Sequence, residues 1–280
     1  MPGTETMDSP KLKAPPHACD CHMHVYESRF ALAPTATFQP PPAPVSEYRK
    51  VQAALGLERV VVVQPTAYGF DNTCTMEAVA ALGSGARAVV VVPQAASDAE
   101  LDRLSAAGAR GLRFFMLPGK VFEWSDLAPM AARVARNGWH VQVQLDGHQL
   151  PDHEAAIRAL PNDVVIDHNG KFLEPVDVAH PAFQSLLRLL DSGRCWVKLS
   201  APYETSRSGP PAYADVSKLA AELVRRFPER CVWASNWPHP NQNPAPSNAA
   251  MLDLLLDWAP DERVRNRILV DNPARLYGFD

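Results

Sequence analysis

Along most of its length the chain alternates short β-branched apolar runs with longer stretches whose apolar residues recur at helical spacing. The runs expected as strands are Ala18–Met23, Arg59–Gln64, Ala86–Val92, Gly111–Phe115, His140–Leu145, Val164–Asp167, Cys195–Leu199 and Cys231–Ala234. Val60–Val63 and Val89–Val92 are unbroken apolar segments, the pattern of a strand covered on both faces. Helices are expected over Val45–Leu55, Thr73–Leu82, Asp98–Ala107, Ser125–Asn137, His153–Ala159, Pro181–Asp191, Ala214–Phe227 and Asn248–Trp258. Ser97-Asp98 and Ser125-Asp126 offer N-caps, and Gly108 and Gly138 offer stops.

Strand followed by helix, repeated without a break in composition, predicts one α/β domain with a parallel sheet. The number of units favours a closed (β/α)₈ TIM barrel over residues 17–280, behind a flexible, proline-rich segment at 1–16. An open doubly wound sheet would carry a glycine-rich phosphate loop after its first strand. Here that strand runs into Asp20-Cys21-His22-Met23-His24 instead. Two irregular stretches, Ala31–Pro44 and Pro202–Pro211, follow strand ends on the face where barrels carry their active sites; each reads equally as a lid or as a surface loop.

Charge narrows the partners. The net charge is -4 with no basic stripe, which argues against nucleic acid and against an anionic membrane surface. No apolar run approaches the roughly 18 residues of a membrane span. Five cysteines, at 19, 21, 74, 195 and 231, lack the spacing of a disulfide framework. They read as reduced, buried thiols of a cytoplasmic protein, with a soft-metal site at Cys19 and Cys21 as the minor alternative.

Candidate chemistry lies at the strand ends. By strict alternation Asp20, His22 and His24 share one face of the first strand, and Cys19, Cys21 and Met23 share the other. The sixth strand ends in Asp167-His168-Asn169-Gly170-Lys171 and the eighth in Ser235-Asn236-Trp237-Pro238-His239-Pro240-Asn241. Arg113 lies on the fourth strand and Lys198 on the seventh, while the second runs into Gln64-Pro65-Thr66. Polar groups at one end of so many strands are costly in a core unless they converge on a site.

Together Asp-Cys-His-Met-His, Val-Ile-Asp-His-Asn-Gly, Trp-Ala-Ser-Asn-Trp-Pro-His-Pro-Asn and the closing Asp-Asn-Pro-Ala-Arg-Leu-Tyr-Gly-Phe resemble the amidohydrolase superfamily. The branch they are most similar to is the lactone-processing one, with the 2-pyrone-4,6-dicarboxylate lactonases and galactarolactone isomerases. That resemblance implies a barrel site with His22, His24, His168 and Asn236 as catalytic residues. It implies substrate binding by Thr66, Arg113, Lys171 and Asn241, with Gln144 and Lys198 added from their strands. The substrate implied is a small carboxylated lactone, and arginine and lysine suit its carboxylate.

Two departures from the family pattern shape the expectation. Strand five reads His140-Val-Gln-Val-Gln, with Gln142 and Gln144 where metal-dependent members place a ligand, and strand four offers the cation Arg113. No metal and no cofactor are therefore expected. The family's eighth-strand aspartate, which activates water, is Asn236, and an amide takes no proton near neutrality. The resemblance then implies an isomerase that turns a sugar-diacid 1,5-lactone into the 1,4-lactone by intramolecular acyl transfer. The alternatives are a lactonase, a decarboxylase, and a catalytically inactive binder.

Overall fold

In a computed structural model, residues 9–280 are described. Eight parallel strands follow one another in sequence order: β1 (Cys19–Met23), β2 (Arg59–Val63), β3 (Ala86–Val90), β4 (Ala109–Phe115), β5 (His140–Gln144), β6 (Val164–Ile166), β7 (Cys195–Leu199) and β8 (Cys231–Trp233). The ring closes just beyond β8. There Asn236 N donates to His22 O at 2.9 Å and His24 N donates to Trp237 O at 2.8 Å. The expected (β/α)₈ barrel is the fold.

The outer ring is α1 (Val45–Leu55), α2 (Thr73–Leu82), α3 (Asp98–Ala106), α4 (Leu127–Ala135), α5 (Leu150–Arg158), α6 (Pro181–Asp191), α7 (Ala214–Arg226) and α8 (Asn248–Trp258). Each helix turns an apolar stripe onto the strands. In α6 the buried residues include Phe183, Leu186, Leu187 and Leu190, spaced i, i+3, i+4 and i+7. Two helix starts differ from expectation. α5 begins at Leu150 because Pro151 fits the first turn, where its missing N–H leaves nothing unpaired. α4 is preceded by a 3₁₀ turn over Trp124–Asp126, capped reciprocally by Glu123 and Asp126 rather than by Ser125.

Strict alternation fails on β1. The register against β2 shifts between Asp20 and Met23, the mark of a β-bulge. Cys19 and Cys21 pack inside the barrel with Val61, Val89, Val165 and Trp196. Asp20 faces outward, accepting from Tyr48 Oη of α1 at 3.0 Å and Ser235 Oγ at 2.5 Å. The bulge re-aims the strand, so His22 and His24 turn inward although Asp20 does not.

Tyr277 and Phe279 plug the opposite end of the barrel. Arg87 Nη2, near the start of β3, donates to Gly278 O there at 2.8 Å. Within the segment expected to be flexible, residues 1–8 lie outside the described residues. Leu12 is buried against the barrel, and its N–H donates to Asp253 Oδ1 at 2.9 Å. Among the described residues, no helix is long and apolar enough to cross a membrane.

Inside the barrel Gly111 lies directly opposite His140, whose ring occupies the space a side chain would need; a Cβ there would sit 2.4 Å from two ring atoms. Gly111→Ala is expected to cost about 1–3 kcal/mol of stability through overpacking, read as a lower urea midpoint with an unchanged slope. A midpoint equal to wild type would show that the ring moves aside freely.

Candidate active site

At the C-terminal ends of the strands lies a cavity of ≈ 280 Å³, near the small end of ligand sites. Of the residues singled out in the sequence, His24, Thr66, Arg113, Gln144, His168, Lys171, Asn236 and Asn241 line it. His22 and Lys198 do not; both are fully buried beneath it. Thr37 and Phe38 from the proline-rich stretch after β1, and Glu204 from the loop after β7, complete much of the wall.

The histidines form a chain whose tautomers follow from its end. His24 Nδ1 lies 2.7 Å from Val63 O, a carbonyl that only accepts, so Nδ1 carries the proton and Nε2 is bare. His22 Nε2, 3.2 Å from His24 Nε2, must then donate. That leaves His22 Nδ1 to accept from Lys198 Nζ at 3.3 Å. Burial, reinforced by the charges of Lys198 and Arg113, holds His22 well below the usual imidazole range and pushes His24 down to about 3. Both rings are neutral at physiological pH.

Lys198 is the hub beneath the pocket. Its Nζ donates to Gln142 Oε1 at 2.7 Å and stands 3.7 Å from Asp167 Oδ1. Gln142 Nε2 in turn donates to Asp167 Oδ2 at 3.0 Å. Burial pushes Lys198 down to about 8, against the pull of Asp167, so it is largely protonated at neutral pH. Burial alone would raise the Asp167 carboxyl, but the charges of Lys198 and Arg113, with the bond from Gln142, outweigh it and hold the group ionised. Lys198, expected to bind substrate, lies beneath the cavity with these contacts to His22, Gln142 and Asp167.

His22, Asp167 and His168 each offer a ligand atom, and these lie within 4.8 Å of one another. A metal ion does not fit among them as they stand. The Lys198 ammonium already occupies the space beside His22 Nδ1 and Asp167 Oδ1, and Arg113 adds a second positive charge nearby.

A strained turn after β6 delivers two more groups. His168, Asn169, Gly170 and Lys171 have consecutive positive φ values of 53°, 56°, 92° and 45°. Such backbone is costly for side chains other than glycine and is kept at functional sites by surrounding bonds. Here Asn169 Nδ2 donates to Ser200 O at 2.9 Å, and Gly147 N donates to Lys171 O at 3.0 Å. His168 Nδ1 shares a 2.8 Å bond with Ser200 Oγ, which leaves Nε2 for a ligand. Lys171, pushed down to about 8 by burial, is bonded to the Glu204 carboxylate. Arg113 donates to Gln64 O at 2.7 Å and Gln144 Oε1 at 2.9 Å, so its guanidinium is braced where it borders the cavity.

Asn236, also at positive φ, has both amide N–H groups engaged: one reaches Tyr203 Oη at 2.9 Å and the other Glu204 Oε1 at 3.0 Å. Its Oδ1 remains as an acceptor. Tyr203 donates to His239 Nδ1 at 2.9 Å, and His239 Nε2 donates to Asn248 Oδ1 at 2.9 Å. His239 is thus one link in a chain that fixes the amide's orientation. Sequence reasoning missed Tyr203, Glu204 and Ser200, because nothing marked residues around a strand end as polar partners of another loop. The one available signal was their place just after β7, on the active-site face.

The chain as a whole has counterparts among known proteins. Residues 19–279 match the model of the family described as amidohydrolase. D-galactarolactone isomerase of Agrobacterium fabrum is 36% identical over 275 residues, covering 96% of this chain and 94% of that one. The 2-pyrone-4,6-dicarboxylate hydrolase of Comamonas testosteroni is 36% identical over 281 residues, covering 96% and 92%. An apo crystal structure of an Agrobacterium tumefaciens protein superposes with a TM-score of 0.92 at 36% identity, covering 97% of this chain and 99% of that one.

Proposed function

The chain belongs to the amidohydrolase family, and on that premise we propose that it is a metal-independent lactone isomerase converting a sugar-diacid 1,5-lactone, of the galactaro-1,5-lactone type, into the 1,4-lactone. The observation that carries this reading is the pairing of a cationic pocket, Arg113 and Lys171, with an amide at position 236 whose N–H groups are both committed. The D-galactarolactone isomerase relative supports the substrate class.

The free carboxylate of the lactone binds Arg113 and Lys171, whose charge-assisted bonds suit it. Thr66, Gln144 and Asn241 border the same space and meet ring hydroxyls. A hydroxyl of the substrate attacks the ring carbonyl and forms a tetrahedral oxyanion. Holding that hydroxyl beside the carbonyl replaces the recruitment of water and is worth several kcal/mol. The oxyanion faces His168 Nε2, with the Lys198 charge beneath the site. Collapse expels the former ring oxygen and leaves the five-membered lactone. Lys198 already fills the cation position, so the proposed reaction uses no metal. The five unpaired, buried cysteines suit a reducing compartment, and we assign the enzyme to the cytoplasm.

Hydrolysis is the second reading, favoured by the equally similar 2-pyrone-4,6-dicarboxylate hydrolase. NMR of chelator-treated enzyme with fresh galactaro-1,5-lactone separates the two. The 1,4-lactone should appear ahead of the open diacid. Diacid alone would make the protein a lactonase, and no change over the spontaneous rate would remove this substrate. His168→Ala is expected to lower kcat by about 100-fold or more; unchanged turnover would take His168 out of the mechanism.

A further inference from the structure

Asn236 removes a carboxylate from the end of β8, yet the pocket still contains one. Glu204 closes the short turn Pro202–Glu204, which leaves β7 through Ala201 at a φ of 47°. Among the described residues it is the one acidic side chain lining the cavity. Its Oε1 accepts from Asn236 Nδ2 at 3.0 Å and its Oε2 accepts from Lys171. The other deep carboxylate, Asp167, lies below the histidines and is held by Gln142 and Lys198. Arg113 and Lys171 are cations, and the bare nitrogen of His24 is already taken by the N–H of His22.

We propose that Glu204 is the catalytic base of the isomerisation, a role that rests on the lactone-isomerase reading above. Its carboxylate takes the proton of the attacking hydroxyl as that oxygen bonds to the lactone carbonyl carbon. The bond from that carbon to the old ring oxygen then breaks, and the Glu204 carboxyl returns the proton to the departing oxygen, which becomes the new hydroxyl. Both oxygens are attached to one tetrahedral carbon, so a single carboxylate serves both transfers and nothing else is consumed. Arrival of the substrate carboxylate at Lys171 draws that ammonium away from Glu204, so binding frees the base. Asn236 then has a stated purpose beside it: an amide N–H holds Glu204 in place, where a second carboxylate 3.0 Å away would compete for the same proton.

The test compares wild type with Glu204→Gln and Glu204→Ala on galactaro-1,5-lactone, with 1,4-lactone formation followed by NMR. Glutamine keeps the acceptor for Asn236 but takes no proton. Glu204→Gln is expected to lose about 100-fold or more in kcat while KM changes by less than about 3-fold. Added formate is expected to restore turnover to Glu204→Ala in proportion to its concentration. Retained kcat in Glu204→Gln overturns the proposal, as does a loss confined to KM, or an inactive Glu204→Ala that formate fails to rescue while its melting temperature matches wild type. Failure of wild type itself to convert the lactone sinks the isomerase reading, and the role of Glu204 falls with it.

Discussion

At pH 5 the protein is expected to have lost much of its folding free energy. Five imidazoles are buried in and around the barrel: His22, His24, His140, His168 and His239. Burial pushes His24 and His140 down to about 3 and His239 down to about 4, and it holds His22 and His168 well below the usual range. Unfolding returns each ring to an ordinary value of about 6.5. Below that pH the unfolded chain binds protons that the folded chain refuses. The contribution is therefore complete above about pH 6.5 and is lost as the pH falls toward the folded-state values. For His24, His140 and His239 the loss at pH 5 is about 2 kcal/mol each, or about 6 kcal/mol together. His22 and His168 act in the same direction. Since the whole stability of a domain is about 5–15 kcal/mol, urea midpoints should fall steeply between pH 7 and pH 5. Equal midpoints at the two pH values would mean that these rings protonate in place.

Lys198→Met is expected to destabilise the barrel by about 3–5 kcal/mol at pH 7, because it leaves Asp167 buried without its nearest cation. Methionine preserves most of the side-chain volume, so the loss reports charge rather than a cavity. Asp167→Asn in the same chain should recover much of it, since the unpaired anion is then gone. The single variant should also lose most turnover, because His22 Nδ1 is left buried without its donor and the positive charge beneath the site is gone. Urea unfolding of the two single variants and the double gives the coupling energy. A Lys198→Met protein within about 1 kcal/mol of wild type would show that Gln142 and Arg113 alone keep Asp167 satisfied.

Both experiments probe the layer beneath the pocket, which was the least legible part of the sequence. Its members were visible singly: Lys198 on an apolar strand, Asp167 before a histidine, Gln142 where a ligand was missed. Their pairing across β5, β6 and β7 was not. Lys198 pointed to the substrate when read alone; its place beside His22 Nδ1 came from the fold.

Strand and helix positions were legible because period and punctuation are local properties. Apolar runs such as Val60–Val63 state their burial directly, and the polar residues at the strand ends disclosed the active-site face. Eight such units left a closed barrel as the consistent arrangement, and the family motifs singled out the residues around its mouth. What the chain could not announce was anything set by side chains distant in sequence. The bulge that turns His22 inward and Asp20 outward depends on pairing with β2 and with the residues after β8. The amide of Asn236 is oriented by Tyr203 and Glu204, which lie more than 30 positions away. Local periodicity determined the barrel and where its site would open; tertiary contact decided which side chains meet there and which protonation states burial allows them.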